Sequence, residues 1–201
     1  MYNDNLVLSY HDAFVRQSDL ETLKPKQWIN DTIIHFSQEY FIHEKYESQV
    51  ASIDLYSPSV TQLIKLGSYQ LPCLGDLIKI ACFPINDNVS ATDIGGTHWS
   101  LLVYINVGTK VFVHFDPIEL HNRHSAVSIV SKLQWPHARI HEGNCERQSN
   151  SYDCGILVIK LMEHILENME SYLNDPLTII SKNANSTSYR NYLFQTIGSL
   201  A

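Results

Sequence analysis

Two β-prone runs separated by a short turn constrain this 201-residue sequence more than any other feature. The runs, Trp99–Ile105 and Val111–Phe115, are joined by Asn-Val-Gly-Thr-Lys. Five residues that include a glycine between two such runs are typical of a β-hairpin. If the residues that flank the turn pair with each other, His98 and Asp116 become near neighbours on adjacent strands at the open end of the hairpin. We therefore predict that this imidazole and this carboxylate lie close together.

A cysteine stands where the polar segment beginning at Gln148 passes into a long predicted helix. The positive end of the helix dipole favours the thiolate form of a cysteine in this position, which is occupied by Cys154. Gly155 leaves the adjacent backbone open to a substrate carbonyl, and the side-chain amide of Gln148 could donate to an oxyanion. Each residue alone has an ordinary structural explanation, but together with the hairpin pair they indicate a nucleophilic cysteine site.

Helical patterns flank the central strands on both sides. Asn30 or Asp31 begins a predicted helix that runs to Phe41, and Ser57 with Pro58 marks the start of a shorter one. The first third of the chain therefore reads as mostly helical. The remaining predictions are a strand at Leu77–Phe83 and helices at about Ser125–Leu133, Cys154–Met169 and Tyr189–Ile197. We predict one α+β domain over residues 1–201, because no linker-like segment interrupts the pattern.

Charge and composition argue against several classes of function. The formal net charge is -7 and the 14 Lys and Arg residues are scattered, so we expect no nucleic-acid partner. No apolar run reaches the roughly 18 residues of a membrane span, and the first residues lack the pattern of a signal peptide. We expect a monomer, because no extra apolar stripe is apparent. The cysteines form no CxxC pair and are expected to be reduced thiols; they are Cys73, Cys82, Cys145 and Cys154.

Ten histidines raise the alternative of a metal hydrolase. Three of them cluster in sequence between strand and helix, and two more lie close together further on. Neither group has the spacing of metal ligands on one helix face beside a base, and no HExxH motif is present. We therefore predict neither a metal site nor a cofactor. The two groups are His114, His121 and His124, and His137 and His141.

Three segments resemble motifs of the Ulp/sentrin-specific cysteine proteases. Gly-Gly-Thr-His98-Trp99-Ser-Leu-Leu-Val-Tyr is similar to the histidine block of that family. Gln148-Ser-Asn-Ser-Tyr-Asp-Cys154-Gly155 is similar to its cysteine block, and the Trp-Ile-Asn-Asp that begins at Trp28 is similar to its N-terminal Trp-x-Asn-Asp motif. The motifs follow the family's order, and the resemblance is closest to the deneddylase branch, which acts on Nedd/Rub-type modifiers.

The resemblance implies a fold and a set of reacting groups. The fold is that of the Ulp type within the papain-like superfamily, a small central mixed sheet flanked by helices. The family's triad lands on His98, Asp116 and Cys154, and its oxyanion glutamine lands on Gln148.

The resemblance also implies a binding site for the tail of a protein modifier. The two tryptophans that clamp a Gly-Gly tail land on Trp28 and Trp99, and the acidic residue that contacts the tail lands on Asp31. Two flat indoles suit glycine, because only glycine lacks a side chain that would clash in a narrow passage. Packing in the core is the alternative explanation for both indoles.

The implied activity is thiol-dependent hydrolysis of the peptide or isopeptide bond after the C-terminal Gly-Gly of a ubiquitin-like modifier. We expect the modifier to be of the Nedd type, the reaction to serve precursor processing and deconjugation, and the location to be cytoplasm and/or nucleus. Three alternatives remain: a protease for sentrin-type modifiers, a catalytically silent module that binds ubiquitin-like proteins, and an acyl transferase built on the same triad.

Overall fold

A five-stranded mixed sheet forms the centre of the structure, which is a computed structural model. Its three middle strands are antiparallel, and each edge strand pairs in parallel with its neighbour. In spatial order the strands are β3 (Ile53–Leu55), β4 (Ile80–Asn86), β5 (Trp99–Asn106), β6 (Lys110–Phe115) and β7 (Arg139–Glu142). The residues described are 4–71, 74–90, 92–93, 95–108, 110–133, 138–176 and 185–201.

Seven α-helices surround the sheet within the described residues, and a separate two-stranded hairpin precedes them. That hairpin consists of β1 (Leu6–Tyr10) and β2 (Ala13–Arg16). A π-helical turn (Phe41–Lys45) continues the second helix, and a 3₁₀ segment (Glu47–Ser52) follows. The helices are α1 (Gln17–Glu21), α2 (Asp31–Tyr40), α3 (Pro58–Leu66), α4 (Arg123–Lys132), α5 (Cys154–Glu167), α6 (Met169–Asn174) and α7 (Ser186–Leu200).

Side-chain caps begin two of the predicted helices where the sequence places them. The Asn30 side chain accepts a hydrogen bond from the Ile33 N–H at the start of α2 (3.2 Å). The Ser57 hydroxyl accepts one from the Val60 N–H at the start of α3 (3.3 Å), which also has proline in its first turn. Both predicted helix starts are confirmed.

The sheet separates two apolar cores, because successive side chains of a strand point to opposite faces. From β5, Leu101, Val103 and Ile105 join the core that contains α2, α5 and α7. Leu102 and Tyr104 join the other core, which contains α3 and α4. This two-sided cover buries every residue of β5 from Trp99 to Ile105.

The register of the central hairpin agrees with the prediction. Ile105 pairs with Val111 beside the turn, and the ladder extends to Leu101 opposite Phe115. The α+β class with a small mixed sheet is also confirmed.

The interpretation of the first third as mostly helical is wrong for its first part. β1 and β2 form a hairpin there, with His11 and Asp12 as a two-residue turn. No glycine marks this turn, so the sequence carries little hairpin signal. The short edge strands β3 and β7 were likewise not predicted, and β4 begins at Ile80 rather than at Leu77.

Three cysteines within the described residues are free thiols: Cys82, Cys145 and Cys154. Cys73 and His137 lie outside the described residues. Among the helices that the structure describes, none combines the length and the apolar character needed to cross a bilayer.

Candidate active site

The open end of the β5–β6 hairpin holds a buried histidine–aspartate pair. His98 immediately precedes β5 and Asp116 immediately follows β6. Nε2 of His98 lies 2.6 Å from Oδ1 of Asp116, and the two residues are only 1% and 3% exposed. The proximity predicted from the hairpin register is therefore confirmed.

Backbone donors hold the Asp116 carboxylate in place. Its Oδ1 accepts from the Ile118 N–H (3.0 Å) and its Oδ2 accepts from the Asn122 N–H (2.8 Å). The Asn122 side chain in turn donates to the Ile85 carbonyl (3.2 Å). Burial would raise the pKa of Asp116, but hydrogen bonds from His98 and Asn122 outweigh it and lower that pKa below its ordinary value. The carboxylate thus stays ionised at neutral pH and orients the imidazole.

The environment of His98 favours its protonated form. Burial would lower the pKa of His98, but its interactions with Asp116 and Cys154 raise that pKa to about 9. The second ring nitrogen, Nδ1, is buried and is not held by a nitrogen or oxygen atom within the described part of the chain. Because Nε2 is held by Asp116, Nδ1 is the nitrogen left to exchange a proton with Cys154.

Cys154 is the first residue of α5 and is 3% exposed. At this position its sulfur lies at the helix end that stabilises negative charge. Burial raises the pKa of Cys82 to about 12 and that of Cys145 to about 11, so both stay protonated at neutral pH.

The loop that leads into α5 is folded around one asparagine. The Asn150 side-chain carbonyl accepts from the N–H groups of Tyr152 and Asp153, both at 3.0 Å. Its amide donates to the Asp153 carboxylate (2.9 Å). These bonds fix the backbone that delivers Cys154, and sequence reasoning did not single out Asn150.

Gln148 lies in the same loop and is half-buried. Its backbone N–H donates to the Pro117 carbonyl (3.1 Å), which ties the loop to the residue after Asp116. Its side-chain amide donates to the Asn150 carbonyl. An amide nitrogen carries two hydrogens, so one N–H of Gln148 remains for an oxyanion.

Arg190, on α7, joins two segments of the site from the far end of the chain. Its guanidinium contacts the Asp153 carboxylate (2.8 Å) and the Tyr152 carbonyl (3.1 Å) on one side. On the other side it donates to the carbonyls of Thr22 (2.9 Å), Lys24 (3.3 Å) and Gln27 (2.8 Å). Arg190 is 3% exposed, and it holds the chain segment before Trp28 against the segment before Cys154.

Asp87, just beyond β4, anchors the backbone before β5. Its carboxylate accepts from the N–H of Thr97 (2.6 Å), the hydroxyl of Thr97 (2.7 Å) and the N–H of His98 (3.1 Å). It also lies 3.3 Å from Nε2 of His121, whose ring packs edge-on against that of His98 with 4.8 Å between centroids. His121 therefore packs against the His98 ring, and Asp87 contacts both His121 and the backbone of His98.

A buried lysine supports the same loop from α3. Nζ of Lys65 donates to the carbonyls of Asn86 and Asn88, each at 2.5 Å. Burial lowers the pKa of Lys65 to about 8. Lys65 was not predicted to contribute, because a helix-face lysine ordinarily points into solvent.

Cys154 lines a cleft of about 720 Å³ that is bounded by both tryptophans. Trp28, in the segment before α2, is 49% exposed, whereas Trp99 at the start of β5 is 9% exposed. The Trp99 indole N–H donates to the Ile29 carbonyl (3.0 Å), which fixes the cleft wall. Asp31, the first residue of α2, is exposed and also lines this cleft. Core packing thus explains Trp99 in part, but it does not explain Trp28.

Gly155 serves a purpose other than the predicted one. A Cβ at this position would lie 2.7 Å from the Cβ of Ile29 and 3.4 Å from Cδ1 of Trp99. The missing side chain therefore lets α5 pack closely against the segment that carries Trp28. The expectation that Gly155 leaves room for a substrate carbonyl is corrected, because protein atoms fill that space.

Two of the histidines considered as metal ligands have other partners. His114 is fully buried and bonds to Ser100 Oγ (3.1 Å) and to Glu142 (3.0 Å). His121 faces Asp87, as described above. His114 thus has a structural role in the sheet.

Comparison with known proteins agrees with this geometry. The family model described as "Ulp1 protease family, C-terminal catalytic domain" matches residues 77–197 of this chain. Sentrin-specific protease 8 of Homo sapiens is 36% identical over 185 residues, covering 82% of this chain and 83% of that protein. NEDD8-specific protease 1 of Arabidopsis thaliana is 30% identical over 180 residues, covering 82% of this chain and 77% of that protein.

The fold is shared with a solved protease structure. The crystal structure of a de-sumoylating protease superposes with a TM-score of 0.75 at 18% identity, covering 100% of this chain and 92% of that one. The resemblance predicted from the histidine and cysteine blocks is confirmed by these relationships. The chain therefore belongs to the Ulp1 family of cysteine proteases.

Proposed function

We propose that this protein hydrolyses the peptide or isopeptide bond after the C-terminal Gly-Gly of a Nedd-type modifier, with His98, Asp116 and Cys154 as its triad. The main support is the buried contact of 2.6 Å between Nε2 of His98 and Oδ1 of Asp116. Cys154 lines a cleft that is bordered by two tryptophan indoles. A silent binding module has no need of this pair, because burying a histidine and a carboxylate is costly unless their interaction is used.

The reaction begins from the ion pair of the Cys154 thiolate and the His98 imidazolium, in which Nδ1 of His98 holds the proton that left Sγ. The thiolate attacks the carbonyl carbon of the terminal glycine, and the carbonyl oxygen becomes an oxyanion. The free N–H of Gln148 and backbone N–H groups at the start of α5 bind that oxyanion. As the C–N bond breaks, Nδ1 of His98 returns its proton to the leaving amine. Water, deprotonated by His98, then hydrolyses the thioester and restores the Cys154 thiol.

The cleft suits a tail without side chains. Trp28 and Trp99 border it, and Gly95, Gly96 and Thr97 form part of the wall. Glycine carries no Cβ that could clash with the two indoles, so two glycines can lie flat between them. Asp31 is exposed and lines the cleft, and in this proposal it accepts hydrogen bonds from the N–H groups of the tail.

The surface around the cleft mouth supports a protein partner. Trp28 is half exposed, and Leu63 on the same lining is 37% exposed. Val89 is 87% exposed and lies between Asn88 and Ser90, both of which line the cleft. Exposed apolar side chains grouped at the mouth of a site are typical of a surface that binds another protein. We propose that the globular part of the modifier covers these three residues.

The Nedd-type assignment is supported by sequence relationships. Sequence relatives at 30% identity or above include a protein named as NEDD8-specific, whereas the structural likeness to a de-sumoylating protease is at 18% identity. The alternative is a sentrin-type modifier, which the same cleft would also accept. We further propose that the protein acts as a monomer in cytoplasm and/or nucleus, binding neither nucleic acid nor membranes.

The test uses Nedd-type, sentrin-type and ubiquitin probes that carry a thiol-reactive group at the C-terminus. We expect the Nedd-type probe to label the protein and the Cys154→Ala variant to resist labelling. Cys145→Ala is the matched control, because it removes a half-buried thiol whose raised pKa keeps it unreactive. Preferential labelling by the sentrin-type probe would overturn the modifier assignment, and labelling of Cys154→Ala would overturn the nucleophile.

A further inference from the structure

We propose that His11, Glu39 and His43 form a binding site for a divalent transition-metal ion of the zinc class, on a surface separate from the catalytic cleft. The potential ligand atoms of these three residues all lie within 4.8 Å of one another. His11 belongs to the β1–β2 turn, whereas Glu39 and His43 lie on α2 and its π-helical continuation. An ion at this position would join the N-terminal hairpin to the helix.

One separation between ligand atoms already suits a tetrahedral ion. Ligand atoms bonded at about 2.0–2.1 Å to a tetrahedral zinc ion are roughly 3.4 Å apart. Nε2 of His43 lies 3.5 Å from Oε2 of Glu39. The rings of His11 and His43 are stacked with 3.5 Å between centroids and only 7° between planes. Their in-plane lone pairs therefore run parallel, and one ring turns when both nitrogens bind the ion.

The positions of these residues in the fold favour a ligand set over a solvated helix face. Glu39 and His43 are four residues apart, which places them on one side of the helical segment. His11 comes from a distant element and adopts a left-handed φ of 47°, uncommon for a residue other than glycine. This conformation brings its ring over that of His43.

A fourth residue supports Glu39 from outside the ligand set. Nε2 of His35 lies 3.5 Å from Oε1 of Glu39, the oxygen that faces away from His43. Outer partners of this kind orient a ligating carboxylate. The ion pairs that the structure gives Glu39 are those with His35 and His43.

The donor types define the class of ion. Two imidazoles and one carboxylate match the nitrogen and oxygen ligands that Zn²⁺ takes, with water in the fourth position. Ca²⁺ and Mg²⁺ prefer sites made only of oxygen ligands. The exposed side of the cluster leaves room for the water, since His11 and His43 are both exposed.

The experiment titrates Zn²⁺ into the protein by calorimetry in a non-chelating buffer. All proteins carry Cys154→Ala, so that the catalytic thiol contributes no ligand. We expect one site per chain, with affinity at least tenfold lower in His43→Ala and in His11→Ala. His124→Ala, which removes an exposed histidine outside the cluster, is the matched control and should bind as the parent does.

Thermal unfolding supplies a second readout. Because Zn²⁺ would bind the folded chain only, the unfolding midpoint should rise with Zn²⁺ concentration in the parent and in His124→Ala, but not in His43→Ala. Ring-nitrogen NMR signals of His11 and His43 should move together on titration. Equal affinity in His43→Ala and the parent, or no saturable binding in the parent, would overturn the proposal.

Discussion

The guanidinium of Arg190 lies 2.8 Å from the carboxylate of Asp153, the residue that immediately precedes Cys154. Both side chains are buried, and the arginine comes from the last helix of the chain. The same guanidinium also holds backbone carbonyls before Trp28. The ion pair thus fixes the position of Cys154 relative to the wall of the cleft.

Replacing Arg190 with Met should lower the free energy of unfolding by about 3–5 kcal/mol, because a buried carboxylate then loses its partner. Urea denaturation measures the change. Arg139→Met is the control, since Arg139 is exposed on an edge strand. The double variant Arg190→Met with Asp153→Asn should recover part of the loss. A loss no greater than that of the control would contradict a structural role for the pair.

Replacing Asp116 with Asn should reduce kcat by a factor on the order of 10⁴, by analogy with serine proteases that lose the triad aspartate. The amide oxygen still accepts a hydrogen bond from the Asn122 N–H, so circular dichroism should report an intact fold. The readout is turnover of a fluorogenic modifier substrate. Activity within about tenfold of the parent would mean that another group orients His98.

The pH dependence of kcat/KM should show an alkaline limb near pH 9. The raised pKa of His98 sets that limb, because the imidazolium must donate to the leaving amine. In Asp116→Asn the limb should move to lower pH, since the hydrogen bond that raises the pKa of His98 is weakened. A limb at the same pH in both proteins would assign it to a different group.

The free energy of unfolding should also depend on the protonation of His98, and it should fall as the pH rises. The folded-state pKa of His98 is above its ordinary value of 6.5, so its contribution to stability is complete below about pH 6.5 and is lost as the pH rises through about 9. Urea unfolding at pH 6 and pH 9 compares the parent with Asp116→Asn. A smaller fall in stability over this range is expected in the variant, and an equal fall would contradict the assignment.

Replacing Gly155 with Ala should destabilise the fold by about 1–3 kcal/mol, because the new methyl group overlaps Ile29. Activity should fall as well, since relief of the overlap moves Trp28 or Cys154. Gly198→Ala on α7 is the matched control: nothing lies within 4 Å of a Cβ there. That change should stabilise the helix by roughly 0.5–1 kcal/mol. Unfolding curves and turnover of both variants check the prediction, and a neutral Gly155→Ala would contradict it.

Local pattern was sufficient to predict much of the site. Turn length and β-prone runs predicted the β5–β6 register, and with it the contact between His98 and Asp116. Polar-to-apolar transition and helical periodicity predicted that α5 begins at Cys154. These features depend on residues close together in sequence, where the spacing of side chains along a strand or helix determines the geometry.

Other features have no local signal. The hairpin that carries His11 has a turn without glycine, and its contact with Glu39 and His43 joins separate elements. The sequence alone suggests that Gly155 leaves room for a substrate carbonyl. Only the tertiary structure shows that Ile29 occupies the space where a side chain would lie.

The sequence by itself determined the α+β class, the central hairpin register and the helix that starts at Cys154, because periodicity and turn length specify them locally. Only the tertiary structure decided that Arg190 ties Asp153 to the segment before Trp28, and that Ile29 fills the space beside Gly155. The physical reason is that such contacts arise from the packing of whole elements, in which residues far apart in the chain must share one buried space.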